Sequence, residues 1–157
     1  MYSKKITVNE LANMIDHTNL KPFASKKSIK QLCQEAKNNS FAAVCVNSCN
    51  VYLCKEELKG ENVDIAAVVG FPLGATTSET KAFEAKQATE LGATEIDMVM
   101  NIAALRENNL HFVKKDIEKV VKASQGMIVK VILETGYLTD QQIIRACKLV
   151  KEAEAHY

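Results

Sequence analysis

Two charged residues stand inside apolar, strand-like stretches of this sequence. Asp97 lies in the middle of residues 95–101 (EIDMVMN), and Lys130 lies in the middle of residues 127–133 (MIVKVIL). Ionised side chains are rarely buried unless they pair with an opposite charge. Two adjacent buried strands that carry one opposite charge each therefore predict a site.

The chemistry that such a pair could perform is proton transfer. The lysine would keep Asp97 ionised, and the carboxylate with an ordered water could take or give protons. A buried structural ion pair is the alternative. Lys130 has a second possible role as an amine that attacks a carbonyl to form a Schiff base. A lysine held against an aspartate is stabilised in its charged form, which favours a supporting role over a nucleophilic one.

Other polar residues fall where neighbouring strands are predicted to end. Asp16 and Thr18, with His17 between them, end the first strand and could hold a substrate hydroxyl, although a lone histidine is more typical of a hydrogen-bonding loop residue. Cys45 is either a small buried hydrophobe or part of the lining of a substrate pocket. Residues 70–74 (GFPLG) either bring backbone close to a ligand or form a strand-to-helix turn.

The elements that would position these residues alternate along the chain. Apolar runs of strand length occupy 41–47, 64–69, 95–101 and 127–133, after a shorter strand or turn at 16–22. Helical periodicity follows each run, and capping boxes begin the first and last helices at Thr7 with Glu10 and Thr139 with Gln142. Nearly continuous apolar strands, each followed by a helix, predict a parallel sheet covered by helices.

Two architectures remain compatible with this order. The chain of 157 residues fits a single domain, 1–157, and an open doubly wound sheet suits that length better than a closed (β/α)8 barrel, which takes about 250 residues. However, the sequence holds neither a GxGxxG nor a GxxxxGK[ST] motif. Polar residues on successive strands converge only if their faces look inward, as in a barrel. The sequence thus predicts an α/β fold of the (β/α) TIM-barrel type: a short N-terminal helix and about the first five β/α units, with the barrel incomplete.

Composition excludes several classes of function. Twenty basic and nineteen acidic residues are interspersed and leave a net charge of +1, so we expect neither a nucleic acid nor a membrane as partner, but a small molecule. The five cysteines form no CxxC pair and lack the histidines of a zinc site, which predicts reduced thiols and no metal. Without an apolar leader or a membrane-length apolar run, we expect a cytoplasmic protein.

Five segments together resemble one enzyme family. They are IDHTNLKP at 15–22, VCVN at 44–47, VVGFPLGATTSETKAFEA at 68–85, GATEIDMVMNI at 92–102 and VKVILETG at 129–136. In this order, across nearly the whole chain, they resemble class I deoxyribose-phosphate aldolase.

The resemblance implies a (β/α)8 barrel and a carbon–carbon lyase that acts without metal or other cofactor. The implied reaction is the reversible aldol cleavage of 2-deoxy-D-ribose 5-phosphate to D-glyceraldehyde 3-phosphate and acetaldehyde through a Schiff base. By motif, Asp97 matches the family's proton-relay aspartate and Lys130 the lysine that supports the active site from strand five. Asp16, Thr18 and Cys45 match pocket-lining positions that bind substrate.

The sequence departs from the family pattern at the nucleophile. The family's Schiff-base lysine lies in a KTSTG motif on strand six, and another active-site lysine precedes a GGVR-like loop on strand seven; neither motif occurs here. We therefore expect a chain truncated before strand six, with exposed strand edges and low or no activity alone. It would form a homo-oligomer or pair with a missing half. The alternative is a non-catalytic partial barrel that serves as a binding or assembly module.

Overall fold

The computed structural model describes residues 5–157. Met1 to Lys4, where the sequence predicts a polar start without a leader, lie outside the described residues. The strands are β1 (Asp16–Asn19), β2 (Ala43–Asn47), β3 (Asp64–Val69), β4 (Glu95–Val99) and β5 (Ile128–Ile132). The helices are α1 (Val8–Ala12), α2 (Lys26–Asn39), α3 (Val51–Glu57), α4 (Ser78–Leu91), α5 (Ile102–Arg106), α6 (Leu110–Ala123) and α7 (Asp140–Glu152).

The five strands form one parallel sheet in chain order, β1-β2-β3-β4-β5. Helices connect successive strands, so the predicted succession of five β/α units is confirmed. Within the described chain β1 and β5 are not paired, and the sheet is therefore a barrel wall that does not close on itself.

Side-chain caps start the helices where the sequence predicts them. The Thr7 and Thr139 hydroxyls each accept the amide of the third helical residue, whose Glu10 or Gln142 side chain accepts the cap amide in return. Gly92 ends α4 with a φ of 116°, a conformation that a residue with a Cβ adopts at a steric cost.

The sheet is strongly curved. In a flat sheet β1 and β5 would be separated by four inter-strand spacings, or about 19 Å, which is farther than two facing side chains reach. Yet Lys130 Nζ on β5 lies 2.5 Å from Asp16 Oδ2 on β1. The two edge strands must curl toward each other, and this decides between the two architectures in favour of the barrel type.

Each face of the sheet has its own packing. The outer face contributes mainly Val, Ile, Ala and Met side chains to a core shared with the helices, among them Val44, Ile96, Met98 and Val129. On the inner face Cys45, Ala66 and Val68 form a small apolar cluster against Leu20. Because strand side chains alternate, burying Ile96 and Met98 outward turns Asp97 inward.

The structure differs from the sequence prediction at the end of β4. The predicted strand 95–101 ends at Val99, and a short helix that was not predicted, α5, follows at once. Asn101 accounts for the change because its side chain accepts the amide of Ala104 and so caps α5. Among residues 5–157, no helix has both the length and the apolar character needed to cross a membrane.

Candidate active site

One lysine and three carboxylates meet on the inner face of the sheet. Lys130 Nζ lies 2.5 Å from Asp16 Oδ2, 2.6 Å from Glu95 Oε2 and 3.1 Å from Asp97 Oδ1. The β4–β5 register places Asp97 directly beside Lys130, as the sequence predicts. Glu95 comes from the same strand, two residues earlier, and Asp16 reaches across from β1.

The carboxylates hold Lys130 in its charged form. Burial alone would lower the pKa of this lysine, but hydrogen bonds to Asp16 and Glu95 and the charge of Asp97 outweigh that effect and raise the pKa above its ordinary value. An ammonium group has no lone pair with which to attack a carbonyl. The geometry therefore supports the supporting role of Lys130 over the Schiff-base role.

Asp97 has the opposite character. Burial raises the pKa of its carboxyl above the ordinary aspartate value, and the nearby Lys130 charge opposes this without cancelling it. Its side chain is only 14% exposed. The buried Oδ1 faces the Lys130 ammonium at 3.1 Å and has no other partner among the described residues. A buried carboxylate with a raised pKa on a concave face is suited to exchange protons with a ligand or water.

The structure brings two of the three predicted pocket residues to this cluster. Asp16 binds Lys130 directly, and Cys45 Sγ lies 3.7 Å from Asp97 Oδ2. Thr18 pairs with Cys45 in the β1–β2 register, but its hydroxyl donates to the Asp16 carbonyl oxygen and does not contact the charged groups.

His17 points away from the cluster. Its Nε2 lies 2.7 Å from Glu35 Oε2 on α2, and its ring packs against Phe41. This agrees with the expectation that His17 is a hydrogen-bonding residue. A cavity of about 560 Å³ opens beside it at the end of β1, lined in part by Thr18, Leu20 and Phe71.

Sequence reasoning missed the part that Glu95 plays. The alternation of β4 places Glu95 on the face of Asp97, and that was the available signal. What the sequence did not show is that Glu95, 13% exposed, would take one of the shortest contacts to Lys130. Three negative charges thus surround one positive charge, and together they keep Lys130 protonated.

Cys45 should be a poor nucleophile. Burial and the neighbouring Asp97 charge raise the pKa of its thiol to about 12, so only about one thiol in ten thousand is ionised at pH 8. With iodoacetamide at pH 8 we expect the exposed Cys49 and Cys147 to be alkylated first, and Cys45 to react at least about 100-fold more slowly. Peptide mass spectrometry over time measures this, and labelling of Cys45 at the rate of Cys49 would contradict it.

The chain matches a known family over most of its length. The family described as DeoC/LacD family aldolase matches residues 11–155. A deoxyribose-phosphate aldolase of Clostridium novyi is 55% identical over 148 residues, covering 94% of this chain and 67% of the relative. One from Caldanaerobacter subterraneus is 52% identical over 160 residues, covering 100% of this chain and 69% of that protein.

Solved structures agree with these sequence relatives. A putative deoxyribose-phosphate aldolase from Coccidioides immitis superposes with a TM-score of 0.93 at 41% identity, covering 96% of this chain and 59% of the other. The Aeropyrum pernix deoxyribose phosphate aldolase, described as having a unique tetrameric structure, gives a TM-score of 0.87 at 28% identity and covers 95% and 63% of the two chains. This chain spans about two thirds of the length of its curated relatives.

Proposed function

Because this chain belongs to the DeoC/LacD aldolase family, we propose that its inner-face cluster is the proton-transfer part of a deoxyribose-phosphate aldolase site. The observation that carries the proposal is the contact of Lys130 with Asp16, Glu95 and Asp97 on the concave face of the sheet. The substrate would be 2-deoxy-D-ribose 5-phosphate, as the names of the relatives suggest. The products would be D-glyceraldehyde 3-phosphate and acetaldehyde.

Each residue has a distinct task in this proposal. Once the sugar is bound to an amine as an iminium ion, a base must take the proton of the hydroxyl on the carbon being released as the carbon–carbon bond breaks. The same group or a water then returns a proton to the enamine carbon. Asp97 is suited to both transfers because it lies on the concave face beside Lys130 and because burial raises the pKa of its carboxyl, which makes it a stronger base than an ordinary aspartate. Lys130 remains an ammonium and stabilises the carboxylates and developing charge.

The nucleophilic amine is not proposed to be Lys130. Its raised pKa opposes attack on a carbonyl, and the KTSTG motif that carries the nucleophile in the family is not in the 157 residues. We therefore propose that this chain alone turns over little or no substrate. Its partner would be a second copy of the chain or a polypeptide that supplies the other strands. A cytoplasmic location, in keeping with five unpaired thiols, belongs to the same proposal.

The test is a complementation assay. Cleavage of 2-deoxy-D-ribose 5-phosphate is measured for the chain alone and after mixing with a polypeptide that carries the part of the Clostridium novyi relative that this chain does not match. We expect no turnover alone and measurable turnover in the mixture. If the two polypeptides bind each other without any turnover, the chain is a binding or assembly module and the aldolase proposal is wrong.

Reductive trapping tests the role of Lys130 separately. With equimolar acetaldehyde and borohydride at pH 7.5, we expect no adduct on Lys130 in the isolated chain, because its amine is held protonated by three carboxylates. Lys86, which is 57% exposed, is the reference for non-specific reductive alkylation. Mass spectrometry of the peptides gives both yields, and a Lys130 adduct in excess of the Lys86 adduct would show that Lys130 is the nucleophile.

A further inference from the structure

The turn between β3 and α4, residues 70–77, packs against the end of β4, the strand that carries Asp97. At Gly74 the backbone passes so close to β4 that a Cβ would lie 2.0 Å from the Met100 carbonyl oxygen and 3.0 Å from Val99 Cγ1. Gly74 N–H donates to the Gly70 carbonyl at 2.8 Å, which closes the turn. The position of this turn is therefore coupled to the end of β4, three residues beyond Asp97.

A single side chain on α4 holds the other end of the turn. Glu84 Oε2 accepts the Gly70 N–H at 2.9 Å, and Glu84 Oε1 accepts the Ser48 hydroxyl at 3.3 Å. Gly70 follows β3, which carries Val68, and Ser48 follows β2, which carries Cys45. One carboxylate thus joins the ends of two strands whose side chains line the site. Hydrogen bonds to a charged acceptor are stronger than those to a neutral one.

A buried ion pair fixes the helix from which Glu84 extends. Lys81, one turn earlier on α4, is fully buried and its Nζ lies 2.6 Å from Asp116 Oδ2 on α6. Its alkyl chain runs directly beneath Gly70, where a Cβ would lie 3.1 Å from Lys81 Cε. Such a pair adds little to stability compared with apolar residues of the same volume, but it restricts how α4 can sit. The ion pair therefore fixes the part of α4 from which the Glu84 side chain extends.

We propose that Glu84 is a positioning residue: through Gly70 and Ser48 it holds the β2 and β3 ends and the Gly70–Gly74 turn at the mouth of the site. It does not contact the reacting atoms. The inference rests on the proposed aldolase function for its effect on substrate, but the structural part is independent of turnover. Loosening the turn widens the mouth next to β4 and weakens substrate binding, while Asp97 and its proton chemistry stay in place.

The first measurement is amide hydrogen exchange on the 157-residue chain. Glu84→Met removes both acceptors at similar length, Glu84→Gln keeps an acceptor for Gly70, and Lys86→Met is the control at an exposed position of the same helix. We expect Glu84→Met to speed exchange in residues 70–76 about tenfold or more, the equivalent of one charge-assisted hydrogen bond, and Glu84→Gln to restore most of the protection. Ser48→Ala, a milder change, should give a smaller increase in the same peptide.

The exchange rates also distinguish a specific effect of Glu84 on the turn from a general effect on stability. If exchange in residues 70–76 is unchanged, or rises only in parallel with the core peptides of β4 and β5, then Glu84 contributes to general stability alone. The parallel comparison matters because a global loss of stability accelerates all protected amides together. Should Glu84→Met fail to fold, Ser48→Ala decides the question by the same criterion.

The second measurement separates this inference from the proposed function. In the complemented enzyme we expect Glu84→Met to raise KM about tenfold, with kcat within about twofold and an unchanged pH profile. An unchanged KM in an active preparation would overturn the inference and leave the aldolase proposal standing. If the unaltered chain shows no turnover in any mixture, the aldolase proposal fails and the exchange result alone decides the role of Glu84.

Discussion

Replacing Asp97 by Asn is expected to reduce aldolase turnover in the complemented enzyme by about 100-fold or more, while the fold is retained. General acid–base catalysis typically contributes a factor of about 10² to 10⁴, and the amide cannot take the proton. The change is nearly isosteric, and Lys130 keeps its contacts with Asp16 and Glu95. The loss should therefore appear in kcat far more than in KM.

Stability measurements distinguish this loss from unfolding. Burial raises the pKa of Asp97, so ionising this carboxyl opposes folding, and the penalty develops as pH rises from the unfolded-state pKa to the higher folded-state pKa. Below the pKa of the unfolded state the group is neutral in both states and the penalty is absent. Asp97→Asn removes an ionisation of this kind, so its unfolding midpoint in urea at pH 7 should equal or exceed that of the unaltered chain.

A matched control makes the same chemical change at an exposed aspartate at the start of β3. Asp64 begins β3, is exposed, and accepts a hydrogen bond from the Thr94 hydroxyl. Asp64→Asn should leave kcat within about twofold, because this exposed carboxylate is not among the three that contact Lys130. Wild-type turnover in Asp97→Asn, or an equal loss in Asp64→Asn, would show that Asp97 does not move protons in the reaction.

Most of the fold was predictable because apolar runs, helical periodicity and capping residues indicate the same elements along this chain. Each apolar run of strand length became a parallel strand, and the capping residues Thr7 and Thr139 started helices as expected. The pairing of Asp97 with Lys130 followed from opposite charges on neighbouring strands in a parallel sheet. The resemblance to the aldolase family, based on five motifs, is confirmed by the family match over residues 11–155.

What could not be predicted depends on distances that sequence does not contain. Asp16 reaches Lys130 only because the sheet curls, and 114 positions separate the two residues in the chain. The apolar run before Asn101 suggested a longer strand, since the capping bond that starts α5 is visible only in three dimensions. The sequence pattern could not show which of Asp16, Thr18 and Cys45 contacts the charged residues. In the structure Asp16 and Cys45 do, whereas the Thr18 hydroxyl donates to the Asp16 carbonyl on its own strand.

The buried pair of Lys81 and Asp116 is a different case, because the sequence does carry a signal. Lys81 shares one helical stripe with Ala85 and Ala88, and Asp116 lies between Val113 and Ile117 on the buried side of α6. A lone charge within the apolar stripe of each of two helices indicates that the helices meet there. The sequence could not show that the Lys81 alkyl chain would lie beneath Gly70.

Replacing Lys130 by Met is expected to destabilise the chain by about 3 kcal/mol or more at pH 7, since it leaves three partly buried carboxylates without their counter-charge. The same change removes the contact between β1 and β5, the two edges of the sheet. We therefore expect faster amide exchange in both edge strands as well as a lower urea midpoint. Lys86→Met, at a pair that is more than half exposed, should change stability by about 0.5 kcal/mol or less.

The pH dependence of the stability of Lys130→Met shows whether lost charge pairing or lost packing destabilises it. In the unaltered chain the pKa of Lys130 is raised. Its contribution to folding stability is therefore fully present below the ordinary lysine pKa and is lost as pH rises from there through the higher folded-state value. Without Lys130, burial and the neighbouring negative charges raise the folded-state pKa of Asp97 further. The resulting loss of stability develops as pH rises from the ordinary aspartate pKa toward that higher value, and it is absent where this carboxyl is protonated in both states. The difference in free energy of unfolding between the unaltered chain and Lys130→Met should thus be large at pH 7 and small toward pH 4. A difference that is constant over this range would mean that lost packing, not lost charge pairing, destabilises the variant.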